Sequence, residues 1–291
     1  MKTSRYILLA ALTVIAASCQ DKIAPEQTTN EVIFSASIDS PATKVVLGDA
    51  YVGSDNLTHY PMLWYGAEKI TVFDANGNNK SFIGEAATAK ASIDFRHNSA
   101  TVFELEEGTE YYAVEPNHTG HTISGGEITV KFVANSQSPD SSNGNLPLAS
   151  GENATVALAK TKDTYLSFKP VTALIKFTVG SENVTRVVFK GVDNPAIAGD
   201  NVVFDYTGDE PVLKSIGMPK NTMYLTNNKS FTVGATYYIA VLPTTLTPAI
   251  GFNFNGSTSN TKYKTGKESI KLEPGMILDL GLIEIAAPAA Q

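Results

Sequence analysis

From Val32 onward, apolar and polar residues alternate with a period of two. Val32, Phe34, Ala36 and Ile38 share one face while Ile33, Ser35, Ser37 and Asp39 share the other. This pattern predicts a strand with one side against a core. Pro41 ends it, and Lys44-Val45-Val46-Leu47 begins a second. Similar short runs recur at Lys69–Phe73, Ser92–Phe95, Thr101–Leu105, Tyr111–Val114, Ile128–Val133 and Thr155–Leu158. Between them stand Asn-Gly, Gly-Gly, Pro-Asn and Ser-Asn-Gly turn signals. The nearest thing to a helix, Ala86–Ser92, is short and uncapped. The chain is predicted to be all-β.

Asn135 to Gly151 (NSQSPDSSNGNLPLASG) lacks alternation and is rich in Ser, Asn, Pro and Gly, so it is expected to be a long loop near the end of a first domain. Strand signals resume at Tyr165–Phe168, Ala173–Val179, Val184–Phe189, Val202–Phe204, Tyr237–Leu242, Ile250–Phe254 and Ile277–Ile285. A boundary near Lys160–Asp163 divides the folded part into residues 31–162 and 163–291. The halves echo one another: Gly108-Thr109-Glu110-Tyr111-Tyr112-Ala113-Val114-Glu115-Pro116 resembles Gly234-Ala235-Thr236-Tyr237-Tyr238-Ile239-Ala240-Val241-Leu242-Pro243. In each, a Gly turn leads into a Tyr-Tyr strand stopped by a proline that cannot donate to a ladder. Two stacked β-sandwiches of similar plan fit this pattern.

The start of the chain follows a different logic. Lys2 and Arg5 precede an almost purely apolar run, Ile7 to Ala17, and Ala16-Ala17-Ser18 places small residues directly before Cys19. A run this short falls below the roughly 20 residues a membrane-spanning helix needs, so residues 1–18 are read as a secretory signal. The small residues and the cysteine resemble a bacterial lipobox, which makes Cys19 the expected lipid-attachment site. Residues 19–30 then form a polar tether, in which Asp21 fits the acidic residues that surface-export signals carry there. With Lys2 and Arg5 removed, 20 basic residues face 29 acidic ones, a net charge of −9. Such a surface disfavours nucleic acid. With its one cysteine lipidated, the exported chain has no disulfide or thiolate metal site and stands on its hydrophobic cores.

Signs of catalysis are poor: there is no Gly-x-Ser-x-Gly elbow, no His-Glu-x-x-His and no phosphate loop. No enzyme activity and no cofactor is expected. Asp74-Ala75-Asn76-Gly77-Asn78-Asn79-Lys80 with Glu85 imitates a calcium loop, but its glycine is misplaced for one and a hairpin turn explains the same residues. His118 and His121 lie close together without a third ligand, beside Pro116 and Gly120, and are expected on a solvated loop rather than at a zinc. No metal site is assigned. Trp64 and Tyr65, with Tyr51 and Tyr60 nearby, are candidate sugar-stacking aromatics, although Trp64 stands just before the Lys69–Phe73 strand and fits a place in the first core better.

The chain resembles the fimbrillin family, the pilin superfamily of type V pili in Gram-negative anaerobes. The residues that carry this are Cys19, the Val32–Ile38 strand with Ala42-Thr43-Lys44, Trp64-Tyr65-Gly66-Ala67-Glu68-Lys69-Ile70-Thr71-Val72-Phe73, Tyr112–Pro116, Tyr237–Pro243, and Leu272-Glu273-Pro274-Gly275-Met276-Ile277-Leu278-Asp279-Leu280-Gly281. Ala67-Glu68 stands where Gly-Asp is common, and Lys169-Pro170 where a histidine often follows the Phe. The resemblance implies two transthyretin-like β-sandwich domains in tandem after a lipoprotein signal peptide. It also implies a structural, adhesion-related role in a surface fimbria, anchored in outer-membrane lipid and meeting host or bacterial surface ligands. Other pilin subunits would be its partners through β-strand donation, after proteolytic removal of the N-terminal strand. Lys44 is the candidate processing site: the family commonly has arginine there, so lysine leaves either a lysine-tolerant protease or an uncut chain in which Lys44 is a solvated loop residue. The alternative is a monomeric surface lipoprotein that binds glycans for nutrient capture.

Overall fold

The structure, a computed structural model, describes residues 32–38, 46–47, 51–52, 58–59, 62–64, 66–100, 102–131, 136–139, 149–150, 155–191, 195–246, 249–254, 262–265 and 269–284. Its early strands are β1 (Ile33–Ile38), β2 (Val46–Leu47), β3 (Tyr51–Val52), β4 (Thr58–His59), β5 (Met62–Leu63), β6 (Lys69–Phe73), β7 (Asn79–Glu85), β8 (Ser92–His97) and β9 (Tyr111–Glu115). The middle holds β10 (Thr122–Ser124), β11 (Glu127–Val130), β12 (Ser136–Pro139), β13 (Ala149–Ser150), β14 (Ala157–Thr161), β15 (Tyr165–Pro170), β16 (Ala173–Val179) and β17 (Arg186–Gly191). Then come β18 (Ala198–Asp205), β19 (Val212–Lys220), β20 (Thr222–Thr226), β21 (Thr236–Val241), β22 (Thr244–Leu246), β23 (Ala249–Phe254), β24 (Lys262–Thr265), β25 (Ile270–Leu272) and β26 (Ile277–Ile283). The described residues are all-β, and no helix among them is long and apolar enough to cross a membrane.

Seven of these strands close into a barrel in the order β1-β15-β14-β9-β6-β7-β8, with β8 returning to β1. The expectation for this half was two facing sheets, whereas the hydrogen-bond ladder here runs all the way round and leaves no free edge. The remaining sheets are β10-β11-β18-β19, β13-β12-β20-β17-β23-β24 and β21-β16-β26, with small pairs β2–β5, β3–β4 and β22–β25. Lys160–Asp163, near which the sequence suggests a domain boundary, covers the end of β14 and part of the turn to β15, both barrel strands; Asp163 holds that turn, accepting from Thr161 Oγ1 and the Tyr165 amide at 2.7 Å each.

Two hydrophobic clusters form. One fills the barrel with Phe34, Ala36, Ile38, Trp64, Phe82, Phe95 and Phe168 among others, and the second lies among the remaining sheets. Strands β6, β9 and β14 serve both, since Val72 and Ala113 point into the barrel while Phe73, Val114 and Leu158 join the second cluster. A strand covered on both faces has no reason to alternate. Hence Lys69-Ile70-Thr71-Val72-Phe73 reads as an unbroken run rather than a period of two.

The Tyr-Tyr echo has a structural counterpart. Tyr111 takes a hydrogen bond on its hydroxyl from the Glu106 amide at 2.6 Å, and Tyr237 takes one from the Thr232 amide at 2.9 Å. Both tyrosines thus brace the turn five residues upstream, and in both turns a glycine sits at positive φ, Gly108 at 78° and Gly234 at 82°. Such bracing is the tyrosine-corner device of β-sandwiches.

Other expectations shift. Val102–Leu105 pairs with no strand among the described residues; it carries Phe103 inward and leaves Val102 exposed. The loop expected over Asn135–Gly151 contains β12 and β13. There the Gln137 side chain acts as a strand in miniature: its amide nitrogen donates to the Ala240 carbonyl at 2.8 Å and its oxygen accepts from the Ala240 amide at 3.0 Å. Gln137→Ala strips both partners from a buried peptide group. The expected loss is about 2 kcal/mol by chemical denaturation, from the cost of unmet buried polar groups. A change within error would show that Ala240 finds other partners.

One departure from the family pattern carries a backbone cost. Ala67 sits at φ 60°, a left-handed conformation that glycine adopts freely. Ala67→Gly is therefore expected to leave stability unchanged or raise it by up to about 1 kcal/mol, whereas Ala→Gly at an ordinary position lowers it. A melting temperature lowered by Ala67→Gly would contradict the strain assignment.

Candidate functional site

The element that best combines sequence position with exposure to change is β1. It lies between β8, antiparallel, and β15, parallel. Phe34 stands opposite Phe95, Ala36 opposite Ile93 and Leu166, and Ile38 opposite Phe168. The period-two face read from the sequence is the buried face here: Phe34 and Ala36 are 0% exposed and Ile38 is 9%.

Phe34 anchors the strand. Its ring meets Phe82 edge-on at 5.2 Å and Phe103 at 6.0 Å, and those two rings meet each other at 5.1 Å. Burial of each such side chain is worth about 1.5–3 kcal/mol, with edge-to-face contacts adding to it. The outward face is polar and hydrogen-bonded. Ser35 Oγ donates to Asp94 at 2.6 Å, Ser37 Oγ meets the Tyr165 hydroxyl at 2.7 Å, and the Ser35 amide donates to the Thr164 carbonyl at 2.9 Å. A slot of this kind, emptied, would present two unpaired strand edges and an apolar trough. Only another extended segment answers both needs.

Trp64 is fully buried in the barrel, edge-on to Phe95 at 5.0 Å and Phe168 at 5.8 Å. That packing gives it a core role and leaves no ring face for a sugar. Cys19, Lys44, Tyr65, Tyr60 and the tether lie outside the described residues, as do the side chains of Tyr51 and its strand neighbours.

The calcium-like loop is a hairpin connection whose acid is already engaged. Asp74 Oδ1 accepts from the amides of Asn76 at 3.0 Å and Asn78 at 2.8 Å, Asn78 Nδ2 reaches both carboxylate oxygens, and Lys80 lies 3.4 Å away. Partial burial pushes the Asp74 carboxyl up, but the Asn78 and Asn76 hydrogen bonds and Lys80 outweigh it and hold it below the ordinary value. Gly77 alone of the turn takes positive φ, at 77°, so of the hairpin turns that Asn76-Gly77 could form it is not type I′, which needs two such residues.

The histidines correct the expectation of a solvated loop. His121 is buried at 2% exposure, although Thr119 in the same loop is exposed. Its Nε2 donates to the Pro116 carbonyl at 2.9 Å, and its Nδ1 accepts from the Lys131 amide at 3.1 Å, so both nitrogens are used and the ring is neutral. Burial, with smaller contributions from His118 and Lys131, drives its pKa down to about 4. His118 Nδ1 accepts from the Gly120 amide at 2.9 Å. Among the described residues no group of three or more His, Cys, Asp or Glu side chains is placed to hold a metal ion. The alternation of Val32 to Ile38 marks β1 and the run Tyr165–Phe168 marks β15, but nothing local shows that the two pair, because the ladder joins residues 130 apart.

Compared with protein-family models the chain matches none, and comparison with curated proteins gives no match either. Among solved structures it is similar to candidate cell adhesion proteins of three Bacteroides species. The Bacteroides ovatus protein is 15% identical with a TM-score of 0.48, covering 88% of this chain and 93% of that one. The Bacteroides uniformis protein is 13% identical with a TM-score of 0.46, covering 86% and 93%. The Bacteroides thetaiotaomicron protein is 13% identical with a TM-score of 0.40, covering 89% and 100%.

Proposed function

We propose that this chain is a structural, non-catalytic subunit of a cell-surface fimbria with a role in adhesion, tethered to the outer membrane through lipidated Cys19 and assembled by strand exchange. The two hydrophobic clusters are taken as the interiors of its two transthyretin-like units. One observation carries the reading: β1, the first described strand, lies between the tether and Lys44 in sequence, yet forms a wall of the barrel with Phe34, Ala36 and Ile38 buried. Cleavage after Lys44 would release β1 together with the lipid. A neighbouring subunit's strand would then enter between β8 and β15, recovering both ladders and the apolar contacts.

Intact mass and N-terminal sequencing of surface-extracted protein test this. Polymers whose subunits begin at Val45, and their disappearance on Lys44→Ala, are expected. Polymers whose subunits still begin at Cys19 would refute the cleavage step. Cys19→Ala is expected to release the chain from the membrane fraction and abolish palmitate labelling. A chain that never ladders in unboiled gels and is retained on a polysaccharide column would instead be a monomeric glycan-capturing lipoprotein.

A further inference from the structure

Resting on the strand-exchange reading, we propose that the slot selects its occupant by the size of one side chain: the position of Ala36 accepts only alanine or glycine, and Trp64 sets that limit. Phe95 flanks β1 on the β8 side, opposite Phe34, and Phe168 flanks it on the β15 side, opposite Ile38. Trp64 packs edge-on against both rings. Ala36 lies midway in register between the positions these two rings face, and it shares the barrel core with Trp64; from this the indole is inferred to occupy the interior volume that a longer side chain at Ala36 needs.

The indole is fixed and its surroundings cannot retreat. Trp64 is tied to Lys90 in both directions, its amide donating to the Lys90 carbonyl at 2.7 Å and its carbonyl accepting from the Lys90 amide at 2.8 Å. Ile93, beside Ala36, is pressed against Gly84: a Cβ there would come within 2.5 Å of Ile93 Cδ1 and 3.0 Å of Phe95 Cε1. A close-packed interior of this kind resists added methylenes.

The preferred occupant is therefore an extended segment of a second subunit, parallel to β15 and antiparallel to β8, reading large, small, large at alternate positions. At the position of Ser35 an acid is disfavoured, because Ser35 donates to Asp94 and an acid in its place would face that carboxylate. The slot thus discriminates among strands that are equally apolar.

The test uses the full chain with a protease site inserted in the 40–44 stretch. After cutting, with β1 still seated, the chain is incubated with labelled peptides of residues 31–40, either native or carrying Ala36→Leu. The native peptide is expected to enter, and the Ala36→Leu peptide at least about tenfold less. On a Trp64→Ala chain, or Trp64→Leu if that folds better, the preference should shift toward the larger peptide. Equal capture of both peptides by the unmutated slot would overturn size selection while leaving strand exchange standing. Entry of neither would overturn strand exchange and the selection rule with it. Failure of the Trp64 variants to alter the preference would remove Trp64 from the argument and overturn its role.

Discussion

Phe34→Ala is expected to destabilise the folded chain by about 3–5 kcal/mol in equilibrium denaturation, the cost of removing a buried phenyl ring and leaving its cavity. The barrel gives this ring no slack: Phe82 and Phe103 close on it at 5.2 and 6.0 Å, and Phe95 lies opposite on β8. Because Phe34 is the largest anchor of β1, the same change should also speed loss of the strand once the chain is cut beyond it. Ser35→Ala, on the outward face, is the contrasting control. It removes one exposed hydrogen bond and is expected to cost less than about 1 kcal/mol. Similar losses from the two variants would mean that β1 does not seat with its period-two face inward.

Acid is expected to weaken the fold between pH 6.5 and about 4 by on the order of 3 kcal/mol through His121 alone. The folded state holds this ring neutral, with Nδ1 as an acceptor that a proton would turn into a donor facing the Lys131 amide. The unfolded chain takes up a proton near pH 6.5, whereas the folded one resists until about pH 4. The stabilisation is therefore complete above pH 6.5 and is lost as pH falls through that window. His118, whose ring lies 5.5 Å away, and Lys131, whose ammonium pairs with Asp200 at 3.5 Å, are the charged or titratable groups facing it. Asp74 loses its contribution only lower, below its ordinary value of 3.8, so the two effects separate. Denaturation midpoints at pH 7 and pH 4.5 measure the loss, and His121→Asn, which keeps a neutral acceptor, should flatten it. An equal slope in that variant would assign the acid sensitivity elsewhere.

The parts of this fold that were legible in the sequence are those decided by neighbours along the chain. Val32 to Ile38 announced both its strand and its inner face, because one side meets a core and the other does not. The Tyr-Tyr echo was visible as a pattern, but the hydroxyl bonds to the Glu106 and Thr232 amides that give it meaning were not. Val212–Lys220 escaped notice since, as a largely exposed edge strand, it has little apolar periodicity to display. What depends on distant chain could not be read at all. Pro116 and Gly120 correctly marked a loop before His121, yet the burial of His121 itself, bonded to the Pro116 carbonyl and the Lys131 amide, left no local trace. Trp64 was legible as a core residue from its place before β6, but the Phe95 and Phe168 rings that close on it were not. Barrel closure itself leaves no local trace, since a strand's alternation says which face is covered and nothing about which strand lies beside it.

The parallel ladder between β1 and β15 also orders events in time. When the N-terminus leads, as on synthesis or export, β1 emerges first but cannot complete its pairing until Tyr165–Pro170 has followed. Joining segments so far apart carries a loop-closure cost that nearby hairpins such as β6–β7 avoid. The last seam to be sewn in this barrel therefore runs along its earliest strand. Until its far side arrives the ring stays open along that seam, and the slot for β1 is half built, with β8 in place before β15.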